Sequence, residues 1–160
     1  MRNTKPLPGI FCDMTNAPDT GAERLAEYAR LFDDAYLSRE RTPDGMRWRL
    51  SAKEGIDRRA KRLAKRENAC CSFMTNTVTV VGDEVIWEAS TIDDPAARDV
   101  LDMFYDLPLH RSTNVAEMHH LFTERIGVPI VFRDGVGHRE ATAQEVTTGR
   151  KKRSAGAQTV

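Results

Sequence analysis

Residues 72–90 read SFMTNTVTVVGDEVIWEAS, and this stretch decides the fold. Two runs rich in β-branched residues flank Gly82-Asp83, a glycine-first pair suited to the tight turn of a β-hairpin. With that turn, Val78 faces Trp87, while the intervening threonines and glutamates fall on the opposite face. The stretch therefore predicts an antiparallel hairpin with one core face and one polar face.

A turn and a further strand are predicted ahead of the hairpin. Residues 42–45 read TPDG, in which proline fixes its φ and glycine is free to take a positive one. Residues 46–50 then alternate between apolar side chains and arginines, the period-two pattern of a half-buried strand. A short strand that carries Cys12 is also predicted, over residues 9–15.

Apolar residues at helical spacing predict four amphipathic helices, over about 20–37, 51–68, 94–107 and 114–125. The first two helices open with capping boxes, Thr20 with Glu23 and Ser51 with Glu54. In such a box, a hydroxyl and a carboxylate each satisfy an unpaired amide of the first turn.

The third helix has its own start and stop signals. Asp94 is its predicted N-cap, and Pro95 suits the first helical position because its missing N–H would be unpaired there anyway. A proline inside a helix removes a hydrogen bond, so the helix is predicted to end before Pro108.

Helices and antiparallel strands in this order predict an α+β fold, a small, mostly antiparallel sheet with helices packed on one face. The chain has 160 residues, enough for one core but not for two of ordinary size. A single domain is therefore expected over residues 9–135. Residues 136–160 lose apolar periodicity and contain GRKKR, so they are predicted to form a disordered basic tail.

Charge and hydropathy restrict the partners. Lys plus Arg number 24 and Asp plus Glu number 24, so no global basic field attracts nucleic acid, which is not an expected partner. No apolar run approaches the roughly 20 residues that cross a bilayer, and the N-terminus lacks the apolar segment of a secretory signal. A cytoplasmic location without a membrane partner is expected, and a homodimer is compatible with the composition.

Cys70 and Cys71 stand side by side in the stretch ENACCSF, between the second helix and the hairpin. A disulfide between neighbours would be strained, because consecutive Cα atoms lie about 3.8 Å apart whereas unstrained disulfides prefer roughly 4.4 to 6.8 Å. The chain has three cysteines in all, which form no disulfide framework. Reduced thiols are therefore expected.

A soft metal or metalloid ion, such as mercury(II) or arsenite, fits this pair better than zinc. Structural zinc takes four ligands in spacings such as C-x-x-C, which do not occur here. Softer ions accept two or three thiolates, so Cys12, Cys70 and Cys71 are the predicted metal ligands. Both sulfurs of the pair are expected to be buried on the helix-covered side of the sheet.

The charge state of these thiols depends on two opposing influences. Lys61, Lys65 and Arg66 precede the pair and favour thiolates. The partial negative charge at a helix C-terminus disfavours them. The sequence leaves this balance open.

Two other functions are compatible with the same residues. The first is an enzyme in which one cysteine attacks a disulfide or an organometal and its neighbour resolves the product. In a variant of that scheme, Asp13 delivers a proton to a bound organomercurial. The second is an interaction module whose cysteines only fill the core, since free cysteine packs as a small hydrophobe.

Four segments together resemble a family of small, largely uncharacterised bacterial proteins: CDMT at 12–15, ERLAEYARLF at 23–32, LAKRENACCSF at 63–73 and TNTVTVVGDEVIWEAS at 75–90. The members of this family also resemble domains appended to MerR-type metal-responsive regulators. They carry an early strand cysteine and a Glu-x-x-Cys-Cys-x-Phe motif, and five positions match: Cys12, Glu67, Cys70, Cys71 and Phe73. The resemblance covers roughly residues 11–104. It implies a metal-linked role without DNA binding, because no helix-turn-helix precedes Cys12.

Overall fold

The computed structural model describes residues 17–110, except for the side chain of His110, and the backbone of two short strands. The elements in chain order are β1 (Cys12–Asp13), α1 (Gly21–Ala35), β2 (Tyr36–Thr42), β3 (Gly45–Ser51), α2 (Ile56–Cys70), β4 (Met74–Val81), β5 (Glu84–Thr91), α3 (Pro95–His110) and β6 (Ile130–Val131). β1 and β6 pair in parallel as a two-stranded sheet. The predicted fourth helix and basic tail lie outside the described residues, and the predicted domain bounds of 9–135 extend beyond them.

β2, β3, β5 and β4 form, in that order, a four-stranded antiparallel sheet. The predicted hairpin is confirmed, since β4 and β5 are joined at Gly82-Asp83 and Val78 pairs with Trp87. Gly82 has a φ of +62°, a conformation that glycine adopts without a steric cost. The turn thus sets the register of the hairpin.

The two faces of this sheet differ in polarity. Buried apolar side chains line the face under α1, α2 and α3: Met46, Trp48, Leu50, Met74, Val85, Trp87 and Ala89. On the other face, Arg47 lies between Glu40 and Glu88, and Arg49 lies between Glu40 and Glu84, with N–O distances of 2.9 to 3.0 Å. The predicted α+β fold, with helices on one face, is confirmed.

β2 is a strand that the sequence analysis did not predict. The apolar spacing extends the first helix to near Leu37, but α1 ends at Ala35. Tyr36 already has extended angles, with φ −60° and ψ 130°, and it belongs to β2. Pairing with β3 across the tight turn at 43–44 overrides the helical spacing, because strand formation depends more on its neighbours than on local propensity.

Five aromatic rings form the centre of the core, with neighbouring centroids 5.0 to 6.2 Å apart: Tyr28, Phe32, Trp48, Trp87 and Phe104. The inner face of α1 is slightly rotated from the apolar stripe that helical spacing predicts, which is Leu25, Tyr28, Ala29, Phe32 and Tyr36. Leu31 and Ala35 are buried, whereas the predicted Ala29 and Tyr36 are only half-buried. This rotation places Arg24 on the buried side of α1.

α2 begins later than the sequence predicts. The prediction of a Ser51–Glu54 capping box is wrong, because Ser51 is the last residue of β3 and pairs with β5. The helix begins at Ile56 after Gly55, which is in the left-handed region with φ +81° and provides no side-chain cap. Helical spacing predicts an inner face of Ile56, Ala60, Leu63 and Ala64, and the burial of all four residues confirms it.

The start of α3 is as predicted, but its end is not. Asp94 Oδ1 accepts hydrogen bonds from the backbone N–H groups of Ala96 at 2.8 Å and Ala97 at 3.2 Å. The helix continues through Pro108 to His110, so the prediction that it ends before the proline is wrong. Burial of the Pro108 ring in the core compensates for the hydrogen bond that its missing N–H removes.

Replacing the N-cap with alanine, Asp94→Ala, is expected to lower the free energy of unfolding by about 1 kcal/mol. The variant leaves two amides of the first turn of α3 without their acceptor. Urea denaturation measures the loss. The control is Glu54→Ala, which removes an exposed carboxylate and should change stability by less than about 0.5 kcal/mol. A loss for Asp94→Ala as small as that of the control would contradict the capping role.

Gly45 opens β3 at a point where the backbone of β5 passes very close. A Cβ atom placed on Gly45 would lie 1.9 Å from the Ala89 carbonyl oxygen. The two strands are in continuous register from Gly45 opposite Ser90 to the far end of β3, so neither backbone is free to move aside. Only glycine fits at this position.

Candidate metal centre

Cys70 and Cys71 lie where α2 turns into β4. Cys70 is the last helical residue, and Cys71 is the C-cap, whose N–H donates to the Glu67 carbonyl at 2.8 Å. Neither cysteine forms a disulfide, and their Sγ atoms lie 3.4 Å apart. Their side chains belong to the core cluster under the helices, with exposed fractions of 8% for Cys70 and 1% for Cys71. The predicted burial on one side of the sheet is confirmed.

Two asparagines fix this junction. Asn68 Oδ1 accepts a hydrogen bond from the backbone N–H of Asn76 at 2.8 Å, and Asn68 Nδ2 donates to the Asn76 carbonyl at 2.9 Å. Asn68 thus pairs with the outer edge of β4 as a neighbouring strand would. The side chain of Asn76 is itself held by Trp87 Nε1 at 2.9 Å. The last turn of α2 is therefore tied to the hairpin that the sequence predicts.

A carboxylate lies against both sulfurs. Glu67 precedes Cys70 by three residues and Cys71 by four, the spacings that share one face of a helix. Glu67 Oε2 is 3.8 Å from each of the two Sγ atoms. Ligand atoms of Glu67, Cys70 and Cys71 all lie within 4.8 Å of one another, and all three residues are buried. These residues, named here the metal centre, could hold a metal ion.

The charge of Glu67 is balanced by an arginine from α1. Arg24 Nη1 donates to Glu67 Oε1 at 3.0 Å and lies 3.6 Å from Cys70 Sγ. The same guanidinium makes two hydrogen bonds to Asp19, each 2.7 Å long. Exposed fractions are 8% for Asp19, 4% for Arg24 and 5% for Glu67. A buried carboxylate needs such a partner, because an unpaired charge in the core is strongly destabilising.

Arg66 extends this network towards the surface. It donates to Asp19 Oδ2 at 2.7 Å and to both carboxylate oxygens of Glu27 at 2.7 Å. Burial disfavours the Asp19 carboxylate, but the hydrogen bonds and charge of Arg24, together with the charge of Arg66, outweigh burial and hold the pKa of Asp19 below its ordinary value. The network therefore keeps the Asp19 carboxylate ionised.

The balance of charges around the thiols favours the protonated form of Cys70. The hydrogen bond with Cys71, burial and the Glu67 carboxylate raise the pKa of Cys70, and the opposing charge of Arg24 is outweighed. Lys61 and Lys65, which the sequence analysis considered as activating cations, are exposed. The cation that lies next to Cys70 Sγ is Arg24, which belongs to α1.

Tyr28 brings a further polar group to the metal centre. It lies one helical turn after Arg24 on the buried face of α1, and its exposed fraction is 2%. Burial and the charge of Glu67 raise the pKa of Tyr28 well above its ordinary value, and the charge of Cys70 acts in the same direction. Within the described part of the chain, Tyr28 Oη has no hydrogen-bond partner within 3.5 Å, although it interacts with the Glu67 carboxylate at longer range.

Cys12 remains a predicted ligand. It lies in β1, opposite Ile130 of β6, and only its backbone is described. The same holds for Asp13, the proton donor of the organomercurial alternative. The structure therefore brings together Cys70 and Cys71 of the predicted ligand set and adds Glu67, which that set did not contain.

No protein-family model, curated protein or solved structure matches this chain. Within residues 17–110, no helix combines the length and apolar character needed to cross a membrane. The resemblance drawn from the sequence motifs stays an expectation.

Two residues of the site could have been found in the sequence. Glu67 stands at helical spacing from both cysteines, so the Glu-x-x-Cys-Cys pattern itself predicts that one carboxylate shares their face. Arg24 precedes Tyr28 by four residues, which places a charge on the apolar face of the first helix. A charge on such a face indicates a buried partner. That this partner is Glu67 depends on how α1 packs against α2, which no local pattern contains.

Proposed function

We propose that the domain binds a soft metal or metalloid ion through Cys70 and Cys71, as a capture or sensing module. The observation that carries the proposal is the clustering of two thiols and the Glu67 carboxylate within 4.8 Å of one another in a buried position. Thiol sulfur is the ligand that soft ions prefer. The seclusion of both sulfurs excludes bulky competing thiols and admits a small ion.

Burial argues against the alternative of disulfide exchange with other proteins. Exchange requires a thiolate that a partner disulfide can reach, whereas Cys71 is 1% exposed and the pKa of Cys70 is raised. A purely structural role accounts less well for Glu67, because core cysteines need no buried carboxylate beside them. Ion binding makes use of all three side chains.

Adding mercury(II) or arsenite is expected to raise the melting temperature of the native chain. A ligand at about 100 times its dissociation constant stabilises the folded state by about 2.7 kcal/mol if it binds only that state. The double variant Cys70→Ser/Cys71→Ser should lose this increase when compared with its own ion-free form. A thermal-shift titration against both ions, with zinc(II) alongside, measures the effect.

The variant Cys12→Ser serves as the matched control, since it also replaces one thiol by a hydroxyl. An increase that persists in Cys12→Ser shows that the pair suffices for binding. An increase that persists in the double variant would refute the proposed function, because the ion would then bind elsewhere.

A further inference from the structure

The distance between the two Sγ atoms restricts which soft ion they can bind without moving. With bonds of about 2.3 Å, two sulfurs on opposite sides of a linear ion lie about 4.6 Å apart, and two sulfurs on a tetrahedral ion lie about 3.8 Å apart. The 3.4 Å between Cys70 Sγ and Cys71 Sγ corresponds to an angle at the ion of about 95° for the same bond length. Angles close to 90° are typical of trivalent arsenic, which forms three bonds and keeps a lone pair.

Two side-chain oxygen atoms, from Glu67 and Tyr28, lie near the position where the ion would form a third bond. Glu67 Oε2 lies 3.8 Å from both sulfurs, while its other oxygen is held by Arg24. Tyr28 Oη is buried and, among the described residues, has no hydrogen-bond partner within 3.5 Å, although it interacts with the Glu67 carboxylate at longer range. A hydroxyl group bound to the ion would donate to Glu67 and accept from Tyr28. Buried polar groups in native proteins are normally paired, so this ligand would give Tyr28 a partner at ordinary hydrogen-bond distance.

We propose that the metal centre takes a trivalent metalloid hydroxide of the arsenous acid type, bound by both thiols and retaining one hydroxyl group between Glu67 and Tyr28. This inference rests on the proposed function and narrows it to one ligand class. Two As–O bonds of As(OH)₃ break and two As–S bonds form. Each thiol proton leaves with a displaced hydroxide as water, and arsenic stays in the +3 state.

Desolvation favours this ligand over a hydrated divalent cation. Arsenous acid that reacts with two protonated thiols gives a neutral product, so no charge is added to the core. Arg24 keeps its contacts with Asp19 and Glu67 throughout. A dication must instead lose its water shell on entering a site of low exposure, which is costly even when ligands replace that shell.

X-ray absorption at the arsenic edge on the full chain, loaded with arsenite, tests the ligand set directly. The expected spectrum shows two sulfur atoms and one oxygen atom bound to arsenic. Three sulfur atoms would overturn the inference, because a third thiol would then replace the hydroxyl group.

Two variants test the residues that surround the hydroxyl group. Tyr28→Phe removes only an oxygen without a described hydrogen-bond partner, so the fold should persist, while arsenite affinity should fall about tenfold. Glu67→Gln should weaken arsenite binding by a similar factor. In Tyr28→Phe, mercury(II), which carries no such hydroxyl group, should bind as in the native chain. Tyr105→Phe is the matched control, since Tyr105 is a half-buried residue of α3 whose ring contacts Arg39 and Arg41, and it should leave arsenite affinity unchanged.

The outcomes separate this inference from the proposed function. If mercury(II) binds through the pair and arsenite does not, the inference is overturned while the proposed function stands. If neither ion binds, both are overturned. Unchanged arsenite affinity in Tyr28→Phe and Glu67→Gln would also overturn the inference, since the hydroxyl group would have no role in binding.

Discussion

Gly45→Ala is expected to lower the free energy of unfolding by about 3 kcal/mol or more, the upper range for overpacked cores. The added Cβ would stand 1.9 Å from the Ala89 carbonyl oxygen, far inside any real contact. That oxygen belongs to the backbone of β5, so no side chain can rotate away. The sheet must separate between β3 and β5, where both tryptophans of the core pair. Urea denaturation, monitored by tryptophan fluorescence, measures the loss of stability.

Gly82→Ala is the matched control for this prediction. Gly82 has a positive φ, yet an added Cβ meets nothing within 4 Å. Its loss should be limited to about 1 kcal/mol, the cost of a left-handed conformation for alanine. Losses of equal size in the two variants would show that backbone conformation, and not the approach of β5, explains the requirement for glycine at residue 45.

Arg24→Met is expected to destabilise the chain by about 3 to 5 kcal/mol, the usual effect of removing one partner of a buried ion pair. The variant keeps the length of the side chain but leaves Asp19 and Glu67 in the core without their shared cation. Glu67 lies against both cysteines, so the variant should also disturb ion binding at the metal centre. Denaturation at neutral pH measures the stability.

Arg58→Met provides the comparison, since Arg58 is exposed on α2. It should change stability by less than about 0.5 kcal/mol. Adding Glu67→Gln to Arg24→Met should recover part of the loss, because one unpaired carboxylate is then removed. If the single and double variants are equally unstable, the contact between Arg24 and Glu67 does not explain the effect.

The hairpin was predictable because its information is local. The Gly82-Asp83 turn fixes which residues are opposite each other, and alternation then decides which face is buried. β2 was not predictable in this way, because its residues have helical spacing at one end and become a strand only through pairing with β3. The capping box at Ser51 fails for the same reason. Ser51 pairs with Glu84 in the sheet, although the local signal predicts that it caps a helix.

The same division applies to the candidate site. The burial of the cysteine pair and its place on one side of the sheet follow from a helix that leads directly into the hairpin. The position of Glu67 beside both sulfurs follows from helical spacing, although the predicted ligand set contained only cysteines. Arg24 and Asp19 reach the site only through the packing of α1 on α2, a contact across 43 residues of sequence in the case of Arg24 and Glu67. Long-range contacts of this kind leave no periodic trace.

All three donors of the metal centre come from one turn of helix and its cap, within residues 67–71. A helical turn forms in a microsecond or less and needs no other part of the chain, whereas sheet pairing requires distant segments to meet. The three donors can therefore come together before β4 and β5 pair. If an ion binds as proposed, completion of the sheet would enclose it. Its release would then require local opening of the junction between α2 and β4, so the residence time of the ion would be set by fluctuations of the fold.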